Sequence, residues 1–330
     1  MKNKIITYQD IIAVKNLYTS WQEFLPGKKN KNDIAEFSLN LSGNIFKLHR
    51  DLKDKNYKHD DYTAFNISDP KPRDIHKASV KDRLLHHAVY RIIYPYFDKL
   101  FIFDSYSCRN FKGTHKALKR FEKLNRKVSQ NNTKQCWILK CDIKKCFASI
   151  DQKIVIRIMK KFIKDQNIIW LIERIINSFK SFDEFKGLPL GNLTSQIIVN
   201  IYLNELDQFI KNKLKIKYYM RYADDFVIFF RDKDYLWELV PKISNFLDEE
   251  LKLKLHPHKL FVQTLSSGVD FLGWVHFPRH RVLRTATKRK MFRNIKLKTD
   301  EKIEDTINSY LGMLKWGNGR KLGNEIRNKQ

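Results

Sequence analysis

The chain has 330 residues, enough for one large packed unit or two or three small ones, and 42% of them are apolar, which excludes wholesale disorder. Lys and Arg number 64 against 36 Asp and Glu, which gives a formal net charge of +28. Self-repulsion of this size destabilises a compact monomer, so we expect a polyanionic partner, with nucleic acid the first candidate and an anionic membrane surface the second. The alternative source of the charge is an AT-rich genome, whose codons favour Lys, Asn and Ile.

Helical spacing of apolar residues dominates the N-terminal part of the chain. It predicts helices up to about Asn56, divided by a GKKNKN loop from Gly27 to Asn32. The next stretch, DYTAFNISDPKPRDI, is extended in character because its two prolines discourage helix. Helical periodicity then returns from Val80 to Phe97. The apolar positions at helical spacing before Asn56 are Ile11, Ile12, Leu17, Ile45, Leu48 and Leu52.

From Cys136 onward the pattern changes to short apolar strands mixed with helices. WILKCD predicts a buried strand, Asp151 is placed to cap the helix QKIVIRIMKKFI, and GLPLGN leads into a helix from about Thr194 to Leu214. KYYMRYADDFVIFF predicts two strands joined by a tight turn at Ala223–Asp225, and VDFLGWVHF a second pair around Gly273. The remainder is basic and includes a helical SYLGMLKW. Long helices with antiparallel hairpins indicate an α+β fold.

The cysteines and the N-terminus argue for a reduced, soluble protein. No C-x-x-C pair and no neighbouring His at zinc-ligand spacing accompany the four cysteines. The segment MKNKIITYQDIIAVKNLY is interrupted by charges too often for a signal-peptide core, and no uncharged apolar run approaches about 18 residues. We therefore expect a cytoplasmic protein without a membrane span.

Three carboxylates are candidates for a metal site. Asp224 and Asp225 lie together in an apolar hairpin, where adjacent carboxylates repel each other unless a cation is present. Asp142 ends a separate apolar strand. Carboxylates that converge at strand ends form a site for two hard divalent ions, which catalyse phosphoryl transfer. The alternative is that the Asp-Asp pair is only a polar turn.

The sequence around these residues resembles the reverse transcriptase family. YADD and DIKKCFASID resemble the two catalytic motifs, FNISDPKPRDI and VKDRLLHHA the fingers motifs, FLGW the primer-grip motif, and SYLGMLK a thumb motif. They stand in the family's order from Tyr62 to Leu314, which is far more specific than any single motif. The resemblance implies a right-hand polymerase fold. It divides the chain into an N-terminal helical extension (1–60), fingers (61–135), a catalytic palm (136–283) and a basic helical thumb (284–330).

One motif narrows the resemblance to a subfamily. GLPLGNLTSQ carries Ser195-Gln196 where many reverse transcriptases have Ser-Pro, and with DSYSCRNFKGTHKA and GVDFLGW it resembles the enzymes of diversity-generating retroelements. That family copies a template RNA into cDNA with errors concentrated at adenines, usually with a small basic accessory protein that forms a multimer. Retron hallmarks, and a maturase or endonuclease segment after the thumb, are not found. The alternatives are a defence-associated reverse transcriptase and, in another class, a non-catalytic basic RNA-binding scaffold.

The resemblance also implies roles for residues near the reacting groups. Asp142, Asp224 and Asp225 match the ligands of two Mg²⁺ ions, for which Mn²⁺ is a substitute. Lys259 matches a proton donor to the departing pyrophosphate, a role open to a lysine that phosphates keep protonated. Phe147 matches the aromatic gate against a 2′-hydroxyl, with core packing as its alternative.

The resemblance also implies roles for binding residues, and for each of them a purely structural role is the alternative. Lys71 and Arg73 match basic fingers residues that hold the triphosphate, or else lie on a solvated loop. Gly191 and Gln196 match positions at the nascent base pair, although Gln196 is equally compatible with an exposed helix. The template–primer set is Phe271, Leu272, Gly273, Trp274, Lys288, Arg289 and Arg293, for which a packed hairpin and a solvated helix face are the alternatives. The implied partners are template RNA, nascent cDNA and deoxynucleoside triphosphates.

Overall fold

The computed structural model describes residues 6–68, 72–179, 185–297 and 300–328. The chain forms two compact units, and each is built from separate stretches of sequence. The first unit consists of Met1–Phe103, Ile143–Lys215 and Ser244–Leu255, and the second of Asp104–Asp142, Ile216–Ile243 and His256–Gln330.

The first unit is mainly helical. Its helices are α1 (Tyr8–Ile12), α2 (Val14–Phe24), α3 (Asn32–Leu39), α4 (Leu41–Lys53), α5 (Val80–Phe97), α7 (Cys146–Ser149), α8 (Gln152–Phe162), α9 (Gln166–Asn177) and α10 (Leu193–Gln208). Its hairpin pairs β1 (Thr63–Ile67) with β2 (Arg73–Lys77) in antiparallel register. The predicted helix from Val80 to Phe97 is confirmed as α5, which packs against α2 and α10. The predicted cap of α8 is confirmed too, because the Asp151 side chain accepts from the Ile154 amide at 2.9 Å.

The second unit is built around two antiparallel sheets. Their strands are β3 (Trp137–Asp142), β4 (Tyr219–Tyr222), β5 (Asp225–Phe230), β6 (Phe261–Thr264), β7 (Val269–Phe271), β8 (Trp274–His276) and β9 (Arg281–Leu283). The larger sheet has the order β4-β5-β3-β6, and the smaller the order β7-β8-β9. The helices are α6 (Thr114–Val128), α12 (Thr285–Lys296), α13 (Asp300–Leu314) and α14 (Arg320–Arg327), and α11 (Lys233–Leu251) begins here and ends in the first unit.

Two apolar cores stabilise the second unit. Side chains of α6 and of the larger sheet, among them Phe121, Ile138 and Phe229, pack together and are fully buried. The second core joins the smaller sheet to the C-terminal helices through Trp274 and Met291. One face of the larger sheet is therefore packed against apolar side chains. The aspartates lie at one end of the same sheet.

Three details refine the sequence predictions. The predicted helix from Thr194 to Leu214 is α10 followed by a π-helical turn at Phe209–Lys213. The tight turn holds Ala223 and Asp224, whereas Asp225 is the first residue of β5. All four cysteines are free, and none of the helices in the described part of the chain is long and apolar enough to cross a membrane.

Candidate active site

The register of the larger sheet brings two of the three aspartates together. In the antiparallel pair of β3 and β5, Asp142 lies directly opposite Asp225, and Asp225 is opposite Tyr222 on β4. Residues directly opposite in an antiparallel pair project from the same face of the sheet, with Cβ atoms about 4.5–5.5 Å apart. Asp224 precedes Asp225 in the turn. The fold thus collects carboxylates from separate parts of the sequence at one end of one sheet.

A fully buried arginine holds the turn that carries Asp224. The guanidinium of Arg221 donates from Nη1 to the Ala223 carbonyl at 3.0 Å and from Nη2 to Ser105 Oγ at 3.2 Å. Its backbone is hydrogen-bonded to Asp104 and Tyr106. Ala223 has a left-handed backbone, φ 54°, so the turn is strained and needs such support. Sequence analysis missed Arg221, although an arginine within an apolar strand was the available signal.

Two lysines lie against the carboxylates. Lys259 Nζ is 2.8 Å from Asp142 Oδ2, and Lys140 Nζ is 3.9 Å from Asp225 Oδ1. Lys259 lies in a 3₁₀ turn that is joined to β3 by a hydrogen bond of 2.7 Å from the His256 amide to the Asp142 carbonyl. Lys259 was predicted to act at this site and does lie there, whereas the buried Lys140 was not predicted.

The surroundings of Asp225 disfavour the ionised form of its carboxyl group. Burial, together with the nearby charges of Asp142 and Asp224, raises the pKa of Asp225 to about 6, although Lys140 and Lys259 act in the opposite direction. A carboxylate in this setting is stabilised by any cation that approaches it.

The donor chemistry fits a hard divalent ion. Carboxylate oxygens are the ligands that Mg²⁺ prefers. With the side chains as oriented here, however, no group of three or more Asp, Glu, His or Cys residues within the described ranges could hold a metal ion together. Lys259 and Lys140 lie beside two of the carboxylates. Asp142, Asp224 and Asp225 remain the predicted ligands of the two ions.

The candidate nucleotide-binding residues belong to the first unit. The Leu188 amide donates to the Phe147 carbonyl at 2.9 Å, and Phe147 itself is half-buried. Further along the same loop, the His76 amide donates to the Leu190 carbonyl at 3.0 Å. These bonds connect the predicted gate, the GLPLGN loop and hairpin strand β2. Arg73 is exposed at the start of that strand.

Glycine is required at position 191. Gly191 has φ +102°, and a Cβ added there would lie 2.9 Å from Ile75 Cγ2. Gln196 is half-buried in the first turn of α10. Lys71 lies outside the described residues. On the neighbouring helix α5, Arg83 pairs with Asp33 at 2.5 Å.

The predicted template–primer residues divide by exposure. Phe271 and Trp274 are buried in the two apolar cores, whereas Leu272 and Gly273 form the turn between them, with φ +53° and +84°. The Gly273 carbonyl accepts from the Arg284 amide at 3.1 Å, which fixes the turn to the start of α12. The basic residues predicted on that helix are all exposed: Lys288, Arg289 and Arg293.

Comparison with known proteins identifies the family. Residues 58–276 match the family model described as "Reverse transcriptase (RNA-dependent DNA polymerase)". The group II intron-encoded protein LtrA of Lactococcus lactis is 23% identical over 335 aligned positions, covering 80% of this chain and 54% of LtrA. Protein YkfC of Escherichia coli is 23% identical over 286 positions, covering 75% and 72%.

A shorter match has higher identity. An uncharacterised 91 kDa protein in the cob intron of Schizosaccharomyces pombe is 32% identical over 140 residues, which is 41% of this chain and 16% of that protein. The chain thus spans about half of LtrA and a much smaller part of the yeast protein. Since the family model covers most of the chain, the chain belongs to the reverse transcriptase (RNA-dependent DNA polymerase) family.

Proposed function

We propose that this protein is an RNA-directed DNA polymerase that makes cDNA by nucleotidyl transfer at Asp142, Asp224 and Asp225. The single observation that carries the proposal is the strand register that sets Asp142 opposite Asp225, one residue from Asp224, within the segment matched by the family model. The raised pKa of Asp225 adds support. A scaffold that only bound RNA would gain nothing from buried carboxylates facing an anionic ligand.

The chain's own residues have separable tasks in this reaction. Asp142, Asp224 and Asp225 would hold two Mg²⁺ ions, which when bound activate the primer hydroxyl and stabilise the leaving oxygen. Arg221 keeps Ala223, which precedes Asp224 in the turn, in its left-handed conformation. Lys259 leaves Asp142 and donates its proton to pyrophosphate.

Substrate selection is assigned to the loop and hairpin of the first unit. In this proposal Phe147 excludes the 2′-hydroxyl of a ribonucleotide, Arg73 and Lys71 hold the triphosphate, and Gly191 and Gln196 contact the nascent pair. The turn at Leu272–Gly273 and the exposed cations of α12 hold the primer and template. This arrangement corresponds to fingers at 61–135, a palm at 136–283 and a thumb at 284–330, with a helical extension at 1–60.

The test of the polymerase is extension of a primed RNA template with deoxynucleoside triphosphates and Mg²⁺. Asp224→Ala combined with Asp225→Ala should abolish extension and leave RNA affinity within about twofold, because the carboxylates face an anionic substrate. The matched control is the exposed pair on α11, Asp248→Ala with Glu249→Ala, which should extend normally. The proposal fails if the Asp224/Asp225 variant loses only RNA binding and extends normally per bound complex.

We also propose the finer role of a diversity-generating retroelement enzyme that works with an accessory protein. The Ser195-Gln196 form of the loop–helix motif favours this role. If the loop–helix contacts the template base only weakly, the free-energy difference between a correct and a mismatched base pair becomes smaller. Each 1.4 kcal/mol of that difference corresponds to about tenfold in discrimination. The intron-encoded relatives support the family but not this branch.

The finer role is tested by sequencing cDNA made from a template of mixed composition. Errors concentrated at template adenines are expected, and Gln196→Pro should change that bias more than it changes total extension. Equal error rates at all four bases would favour the defence-associated alternative.

A further inference from the structure

A phenylalanine on the loop before α6 is unusually placed. Phe111 is 88% exposed and has a left-handed backbone, φ +59°. Bulky L-residues rarely adopt this conformation, and Gly or Asn would adopt it at less cost. Because its ring is exposed, Phe111 also contributes little hydrophobic stabilisation to the fold. The fold therefore bears both backbone strain and an exposed ring at one residue, a combination that marks functional loops.

The loop that presents Phe111 is closed and anchored. The Gly113 amide donates to the Tyr106 carbonyl at 3.0 Å, which closes its base. Lys116 Nζ donates to the Phe111 carbonyl at 2.6 Å, and Lys112 Nζ lies 5.1 Å from the centre of the Tyr106 ring. Hydrogen bonds thus fix the base of the loop and the Phe111 carbonyl, while the Phe111 ring stays exposed.

A stripe of cations continues from this loop along α6. Lys116, Lys119, Lys123 and Lys127 are all exposed and follow one another at spacings of three or four residues, so they lie along one face of the helix about 4.5–6 Å apart along its axis. The opposite face of α6 is buried in the apolar cores. We call Phe111 and these four lysines the α6 track.

The charge of the α6 track is not neutralised by the protein. The only acidic residue within α6 is Glu122, which pairs with Arg126 at 2.7 Å. Across the described ranges, Lys119, Lys123 and Lys127 have no carboxylate partner. Lys119 instead lies 5.2 Å from the ring of Trp316, and that ring is stacked on His115 at 3.9 Å, which fixes the helix at this end of the track.

We propose that the α6 track binds single-stranded RNA, with a base stacked on Phe111 and the backbone phosphates along the lysines. An aromatic platform beside a row of cations matches single-stranded nucleic acid, since every base has a π-face and every nucleotide a phosphate. An acidic protein would use the lysines but would have no need of a strained, exposed ring. The inference deepens the proposed function, on which it rests, by assigning a binding track for template RNA outside the carboxylate site.

The test is the affinity of the full-length protein for a fluorescently labelled oligoadenylate RNA, without Mg²⁺ or nucleotides. Phe111→Gly relieves the backbone strain, so its melting temperature should equal or exceed that of the wild type, while RNA affinity falls about tenfold, which corresponds to about 1.4 kcal/mol. Phe111→Trp should retain the affinity. Phe46→Ala, which removes another exposed ring, 53% exposed on α4, is the control and should bind as the wild type does.

A salt titration separates the lysines from the ring. Replacing the four lysines by Ala should reduce the slope of log affinity against log salt by roughly 0.7 for each phosphate that is no longer paired with a lysine, whereas Phe111→Gly should leave the slope unchanged. Wild-type RNA affinity in Phe111→Gly, or an unchanged slope in the lysine variant, would overturn the proposal. A lysine-dependent affinity for an acidic peptide that exceeds the RNA affinity would also overturn it. Binding here needs no catalysis, so its failure is distinct from a failure of primer extension.

Discussion

Asp225→Asn should stabilise the metal-free protein while it abolishes primer extension. The pKa of the Asp225 carboxyl is raised from 3.8 to about 6, chiefly by burial and by two neighbouring carboxylates. Each pKa unit corresponds to 1.36 kcal/mol, so ionising this group in the folded protein costs about 3 kcal/mol of stability. Asn has a similar shape and carries no charge, so it avoids this cost.

The pH dependence has a defined sign. Below about pH 4 the Asp225 carboxyl is protonated in both the folded and the unfolded protein, so it does not lower the free energy of unfolding. As the pH rises through about 6 the folded carboxyl ionises, and the free energy of unfolding falls. In EDTA, the melting temperature of the wild type should therefore fall relative to that of Asp225→Asn between pH 4 and pH 7. The difference at pH 7 should be several degrees. Mg²⁺ should raise the wild-type melting temperature more than that of the variant, because it binds the folded carboxylates.

Thermal unfolding in EDTA at several pH values, with Asp248→Asn as an exposed control on α11, measures this difference. Parallel melting profiles of the wild type and Asp225→Asn across the pH range would refute the reasoning, because they would show that Asp225 is not strained by its neighbours. Primer extension measured on the same preparations shows whether the carboxylate that lowers stability is also the one that the reaction needs.

Three further substitutions test other parts of the site. Phe147→Val should raise the ratio of ribonucleotide to deoxyribonucleotide incorporation, measured by single-nucleotide extension after folding has been checked; an unchanged ratio would return Phe147 to core packing. Arg221→Lys keeps the charge but cannot make both hydrogen bonds of the guanidinium, so kcat should fall at least tenfold with RNA affinity unchanged, and a wild-type kcat would contradict this role. Gly191→Ala should cost about 1–3 kcal/mol of stability from its positive φ and from its closeness to Ile75, and should raise the KM for nucleotides. Ile75→Ala in the same chain should recover only part of that stability, since the backbone strain remains; full recovery would show that the steric clash alone matters.

The sequence was most informative where a local pattern decides local structure. Strand β3 and the hairpin of β4 and β5 follow from apolar runs bounded by turns, and Asp151 was recognisable as a cap. Helix α6 was not predicted, although Ala117, Phe121, Leu124 and Val128 lie at helical spacing in an amphipathic pattern. The α6 track was overlooked because basic residues are abundant along the whole chain.

The interactions that organise the site depend on pairing between distant segments. The position of Lys140 beside Asp225 follows only from the register of β3 against β5, and that of Lys259 from a turn far along the chain. Arg221 could be recognised as unusual, but its acceptors on Ala223 and Ser105 could not be foreseen. Motifs identified the three aspartates and Lys259, whereas the contacts of Arg221 and Lys140 could be assigned only once the strands were paired.

The interleaving of the two units has a consequence for synthesis on the ribosome. The segment that ends in β3 emerges long before its partners, because the hydrogen bond between Asp142 and Lys259 spans 117 residues. At elongation rates of about 5–20 residues per second, β3 waits roughly 6–23 seconds for the last of these partners. During that interval a strand that is buried in the folded protein has at least one edge open, and unpaired apolar strands are the segments most prone to aggregate. Yield in cells should therefore depend on chaperones that bind nascent chains, and slower translation between β3 and β6 should reduce the soluble fraction.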